Sequence, residues 1–270
     1  MRYSTQLEHG KKIPLHDEEG FIGMRAAGRI AADTLDYITP FIKPGVSTAK
    51  LDALCEQFMR AAGAIPGTID YHGYKHASCI SVNHVVTHGI PSETKILKVG
   101  DILNIDVTPK FQGWFGDTSR TFKVGAVSIL ANRLVNTAYE AMMAGIHTVR
   151  PGATLGDVGA AIEAVAKAQG FSSVRDFCGH GVGQVFHDTP QVLHYGRAGT
   201  GIVLEPGMIF TIEPMLNVGS YQVKVLPDKW TTVTKDRSLS AQFEHSLAVT
   251  ETGFEIFTLT GLPDTLASAA

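Results

Sequence analysis

The chain repeats itself, and that repeat constrains its architecture more than any other feature of its 270 residues. Lys43-Pro44-Gly45-Val46-Ser47 leads into a helical pattern with Leu51, Leu54, Cys55 and Phe58 on one face, closed by Gly63. Arg150-Pro151-Gly152-Ala153-Thr154 leads into a second, with Val158, Ala161, Ile162 and Val165 on its face, closed by Gly170. Ser47 and Thr154 stand where a side-chain oxygen would cap free helix N–H groups, and the two glycines stand where a helix ends in a left-handed residue. Upstream of each, Met24 to Phe41 and Asn132 to Val149 are Ala-rich with apolar residues at helical spacing. The strand-like run Val99 to Asp106 aligns with Pro206 to Glu213 at the same offset, each a glycine turn followed by β-rich residues ending on a carboxylate. A slightly shorter offset pairs Cys79 with Cys178, His88 with His187 and Pro91 with Pro190.

Matches in one order point to a duplicated α+β unit, its two halves facing each other across a pseudo-twofold axis. Helices should cover the outer side of a curved, mainly antiparallel sheet. No Pro/Ser/Gly-rich linker parts the halves, so residues 21–260 are expected to form a single domain on one shared core. Residues 1–20 read as an N-terminal extension and 261–270 as a C-terminal tail.

Charge and cysteine content exclude several classes. The formal net charge is −3 with no block of Lys or Arg, so a nucleic-acid footprint is not expected. Three widely spaced cysteines argue for a reducing compartment rather than a disulfide scaffold. Met1 to Gly20 holds Glu8, Asp17, Glu18 and Glu19 and lacks the apolar core of a secretory signal. No apolar run approaches the ~20 residues of a membrane span. A cytoplasmic protein that engages no membrane is expected, and a monomer.

The acidic residues supply the chemistry. Leu103 to Val107 and Phe115 to Val124 are strand-like runs joined around Phe111-Gln112-Gly113. If Phe111 and Gln112 form the loop, Asp106 lies directly opposite Asp117, where like charges repel unless a cation lies between them. Two Asp near a turn are by themselves better explained by turn formation. The second half changes that balance: Glu213 is the repeat-mate of Asp106, and Gln242-Phe243-Glu244-His245-Ser246 mirrors Phe115-Gly116-Asp117-Thr118-Ser119. In both, a hydroxyl follows the acid by two residues, and about twenty extra residues separate the second pair of strands. Four convergent carboxylates are costly to bury without a cation.

His180, in Cys178-Gly179-His180-Gly181-Val182-Gly183, is the best fifth ligand, since the glycines let backbone and ligand approach closely. A phosphate loop would need a Lys-Ser/Thr ending that this segment lacks. His88 and His187 are a symmetric pair beside the same candidate centre. Four carboxylates and one imidazole form a hard ligand set, too many for one tetrahedral ion and suited to two ions sharing carboxylate bridges. Such a pair lowers the pKa of a bridging water and stabilises an oxyanion, so hydrolysis of a carbonyl or phosphoryl compound is the expected reaction class. Mn, Fe and Co fit the ligand hardness, and Zn is compatible with it.

Asn104-Ile105-Asp106, Gly116-Asp117-Thr118-Ser119-Arg120-Thr121-Phe122, Gly179-His180-Gly181-Val182-Gly183, Thr211-Ile212-Glu213-Pro214-Met215 and Ser240-Ala241-Gln242-Phe243-Glu244-His245 together resemble the type I methionine aminopeptidases of the bacterial kind. The resemblance runs from about Ile22 to Leu259. It implies the duplicated "pita-bread" (creatinase/aminopeptidase) fold and removal of the initiator methionine from nascent polypeptide N-termini whose second residue is small, with the ribosome as a candidate contact.

Carried over by motif, Asp106 and Asp117 hold the first of two divalent metal ions (Co, Mn, Fe or Zn), Asp117 and Glu244 bridge, and His180 and Glu213 complete the second. Glu213 would also relay a proton, His88 would contact the scissile amide region, and His187 would stabilise the tetrahedral intermediate. Tyr71, Tyr74, Cys79, Phe186 and Trp230 would line the methionine pocket, and His72 receives no role. Thr87 and Gln184-Val185 depart from residues common in the family, near the site but off the ligands. Two alternatives remain: an X-Pro peptidase on the same scaffold, and a metal-free binding module, which would be expected to lack one or more of the five ligands.

Overall fold

Helix caps mark the repeat in three dimensions. Four helices account for the helical patterns: α1 (Glu18–Ile38), α2 (Thr48–Ala61), α3 (Ile129–Ile146) and α4 (Leu155–Ala168). Ser47 accepts the Lys50 N–H at the start of α2, and Thr154 forms a reciprocal capping box with Asp157 at the start of α4. Such a cap contributes about 1 kcal/mol. Gly63 and Gly170 follow the C-termini with φ of +78° and +75°, the left-handed conformation that costs glycine least. Asp17 and Ser128 cap α1 and α3 earlier than the apolar periodicity alone would place their starts.

This computed structural model describes residues 2–259; the expected tail over 261–270 lies outside them. Every strand pairing among the described residues is antiparallel. In the first half Ile102–Val107 is central, between Ser78–Val82 and Thr118–Lys123. In the second, a five-stranded ladder runs Asp188–Val192, Gly179–Gly181, Ile209–Ile212, His245–Val249, Phe254–Ile256. Arg2–Glu8 and Lys11–Leu15 form a hairpin that buries Ile13 and Leu15 against the second half. No helix among the described residues is long and apolar enough to cross a membrane.

The apolar packing falls into clusters. Leu35, Leu51, Met59, Leu103 and Ile105 are packed in the first half, and Leu134, Val158, Ile162, Phe210 and Leu247 in the second. A smaller cluster of Met24, Trp114, Phe115, Phe186 and Phe257 joins them on one side.

Polar contacts also join the halves. The Glu244 N–H donates to the Ser119 carbonyl at 3.0 Å, the Thr118 hydroxyl to the Glu244 carbonyl at 2.6 Å, and the Ser246 hydroxyl to the Asp117 carbonyl at 2.7 Å. Thr121 and Asn104 both donate to the Gln242 carbonyl. Ser119 through its carbonyl and Ser246 through its hydroxyl, two positions after Asp117 and Glu244, thus tie these strands together across the axis. Buried polar groups satisfied in this way fix one register between the halves.

Candidate metal centre

The first-half hairpin corrects one expectation from the sequence. Gln112 and Gly113, not Phe111 and Gln112, form the two-residue loop, with φ of +49° and +90°. Positive φ at both positions is what the favoured tight hairpin turn requires, and glycine supplies one of them. The register therefore moves by two residues, and Asp106 pairs with Ser119 rather than Asp117. A two-residue slip keeps every side chain on its face, so the carboxylates remain on one side as diagonal neighbours. The Thr108 hydroxyl donates to Asp117 at 2.7 Å. In the second half the pairings Ile212–His245 and Met215–Gln242 put Glu213 directly opposite Glu244.

His180 comes from the short strand Gly179–Gly181. A Cβ at Gly179 would strike the Thr211 carbonyl, and one at Gly181 the Thr189 carbonyl. These glycines admit neighbouring strands rather than a ligand, a second correction. Nδ1 of His180 lies 3.0 Å from the Gly181 carbonyl, which makes Nδ1 the donor and leaves the Nε2 lone pair free for a cation. Nε2 lies 3.5 Å from Asp117 and 3.6 Å from Glu213. Ligand atoms of Asp117, His180 and Glu244 all fall within 4.8 Å of one another.

The electrostatics of this cluster are unfavourable without positive charge. Burial, then Asp117 and Glu213, push the Asp106 carboxyl well above its usual range. Burial and the other carboxylates do the same to Glu244. Glu213 is pushed up to about 7, chiefly by burial, with His180 opposing. Burial alone would lower His180, but Asp117 and Glu213 outweigh it and hold the imidazole above its ordinary value. Buried like charges that raise one another's affinity for protons form a site complementary to a cation.

The five side chains share one cavity of about 310 Å³. Tyr71, Tyr74, Cys79, His88, Phe186 and His187 line it as well. Trp230 does not; it packs on Tyr74 and His88, with ring centroids 4.9 and 6.2 Å away, and supports the wall from behind. It sits in the connection between Val223–Val225 and Thr232–Thr234, a hairpin formed by part of the extra residues of the second half and paired with Val85–Thr87. Thr87 is buried and lines the cavity, whereas Gln184 and Val185 are exposed and do not.

Burial, then His180, lower the His187 pKa. Burial sets His88 at about 4. His72 lies outside the cavity, edge-on to Tyr71.

Several residues of the site carry no signal in the sequence reading. Thr211 donates to Glu213 at 2.7 Å, Gln242 Nε2 lies 3.3 Å from the other carboxylate oxygen, and the Glu213 N–H donates to Nε2 of the fully buried His194. Phe177 and Met215 add apolar lining. Thr211 and Gln242 sit within the quoted motifs, where alternation could have placed them on the Glu213 face. His194 is reached only through tertiary contact.

Comparisons with known proteins identify the family. The model of metallopeptidase family M24 matches residues 22–251. The methionine aminopeptidase of Rickettsia prowazekii is 54% identical over 92% of this chain and 95% of its own. Its crystal structure superposes with a TM-score of 0.90, covering 92% of this chain and all of that one. Methionine aminopeptidase A of Synechocystis is 49% identical over 93% of this chain and 99% of its own. An Xaa-Pro dipeptidase of Bacillus anthracis matches at a TM-score of 0.72 and 25% identity, but only 62% of that longer chain is covered. This chain belongs to metallopeptidase family M24, among its methionine aminopeptidases.

Proposed function

We propose that the protein removes the N-terminal methionine of nascent polypeptides in the cytoplasm when the second residue is small, using two divalent cations held by Asp106, Asp117, His180, Glu213 and Glu244. The observation that carries this reading is the convergence of all five donors in one cavity that also carries aromatic and apolar lining. The donor set fits the cations on chemical grounds: oxygen-rich, with a free imidazole Nε2, and with carboxylates whose mutual repulsion a positive charge relieves. Together with His180, Asp117 and Glu244, from opposite halves, would hold the cations, the three offering ligand atoms within 4.8 Å of one another. Bound there, the cations would supply Lewis acidity, generating a nucleophile from water at neutral pH and stabilising negative charge on oxygen.

The chain's own residues do the rest. Glu213, held by Thr211 and Gln242, accepts and returns a proton. His88, kept neutral by burial, faces the amide to be cut. His187 donates to the oxygen on which charge develops. Tyr71, Tyr74, Cys79 and Phe186 form a slot suited to a thioether, with Trp230 behind them. The X-Pro reading is not favoured, given identity near one half to methionine aminopeptidases along nearly the whole chain.

The test is metal analysis combined with cleavage of Met-Ala-Ser across Mn, Fe, Co and Zn, with Gly-Pro peptides alongside. Release of methionine with about two ions per chain is expected. Preferential cleavage of the Gly-Pro peptides, or no tight metal, would overturn the reading.

A further inference from the structure

Tyr71 reaches the cavity from a loop held in an uncommon backbone conformation. Asp70, His72 and Gly73 all have φ in the left-handed region, at +66°, +48° and +88°. Asp and His tolerate that region better than most residues, yet two such positions around one tyrosine still cost energy that neighbouring contacts must offset. The Asp70 N–H donates to the Tyr74 carbonyl at 2.7 Å and the Tyr71 N–H to the Thr68 carbonyl at 3.1 Å. The Tyr74 hydroxyl anchors the far end of the loop on the Ser78 carbonyl at 2.9 Å.

What this arrangement delivers is one hydroxyl in one place. The Tyr71 oxygen lies 2.8 Å from Nδ1 of His187, and the two rings are nearly parallel, with centroids 5.1 Å apart and planes at 26°. Phe186 packs close to both rings. A neutral imidazole carries one hydrogen, and the partner of one nitrogen decides what the other nitrogen offers. Among the described residues, the phenolic hydrogen has no acceptor other than Nδ1. If the phenol donates there, the imidazole hydrogen sits on Nε2.

We propose that Tyr71 is a positioning residue: its hydroxyl donates to Nδ1 of His187, holding the tautomer whose Nε2–H can donate to an oxyanion in the cavity. This rests on the peptidase reading above and gives the tyrosine a role distinct from lining the methionine pocket. A wall needs the ring; positioning needs the oxygen.

Tyr71→Phe separates the two. On Met-Ala-Ser it should lower kcat roughly five- to tenfold, the scale of one lost hydrogen bond, with KM moved less than about twofold. In a His187→Ala background the same change should have no further effect, because the residue it acts through is gone. In Zn-loaded protein with 15N-labelled histidine, His187 should be the Nε2–H tautomer, becoming a mixture in Tyr71→Phe. A rise in KM at unchanged kcat would overturn the proposal. So would an equal loss with and without His187, or a wild-type Nδ1–H tautomer. Failure of the wild type to cleave the peptide would instead strike the underlying reading, while the tautomer measurement would still decide the Tyr71 contact.

Discussion

The two acidic pairs descend from one pattern and are built differently. In the first half the tight Gln112-Gly113 turn sets Asp106 diagonal to Asp117, with Thr108 bonded to Asp117. In the second half Glu213 and Glu244 stand face to face. There the connection beyond the pair is long enough to send the hairpin of Val223–Val225 and Thr232–Thr234 onto Val85–Thr87 of the first half, placing Trp230 behind the cavity wall. Duplication thus supplies a carboxylate from each side, while register and insertion tell the sides apart. One half holds a compact carboxylate pair; the other holds an opposed pair and also packs behind the cavity lining of its partner.

The largest expected effect comes from breaking either pair. Asp106→Asn and Glu244→Gln should each lower kcat/KM on Met-Ala-Ser by about 10³-fold or more, with loss of bound metal, since several kcal/mol of charge stabilisation is removed in either case. Near-normal turnover in one variant would show that its half is dispensable.

The repeat-mates His88 and His187 sharpen the contrast. His187→Ala should lower kcat by about 10²-fold while metal content, read by elemental analysis, stays unchanged. Metal loss in that variant would make His187 part of the ligand set.

Smaller effects separate the supporting hydroxyls. Thr108→Val removes the hydroxyl bonded to Asp117, whereas Thr211→Val leaves Glu213 its Gln242 contact. Metal affinity should fall by about tenfold or more in the first and by less in the second, by competition with a chelator. The reverse order would make the second half the more dependent one.

The last effect reads stability rather than catalysis, on the chelated protein. A carboxyl whose folded pKa is raised keeps its proton longer folded than unfolded, so its burial penalty is absent at low pH and grows as pH rises. For Glu213 the window runs from its ordinary 4.5 to about 7. Stability by denaturant midpoint should fall across that window, with a slope up to about 1.4 kcal/mol per pH unit from this group. Added divalent cation should restore it. A flat profile would mean that burial does not raise the Glu213 carboxyl in the folded protein.

Helix caps, repeat and ligand candidates were legible because each rests on residues close in sequence. Ser47, Thr154, Gly63 and Gly170 act within a few residues of their own helices. The hairpin register differs by two residues from the sequence expectation because Phe111-Gln112-Gly113 allows either loop and the choice lies in which residues take positive φ. Trp230 packs on Tyr74 and His88 rather than lining the cavity as expected, because a motif conveys presence and not depth. His194 was silent because its bond to the Glu213 N–H links residues on different segments of the second half.

By itself the sequence determined that two similar halves exist, that each offers two carboxylates at strand ends, and that one asymmetric histidine accompanies them. These follow from periodicity, capping and spacing, which are properties of local chain. Only the tertiary structure decided which carboxylates oppose, which bridge the axis, and which hydroxyls and imidazoles hold them. Those depend on ladder register and on bonds such as Glu244 to Ser119 across the two halves. In such long-range pairing, differences of two residues move a charge by several ångströms without changing any local preference.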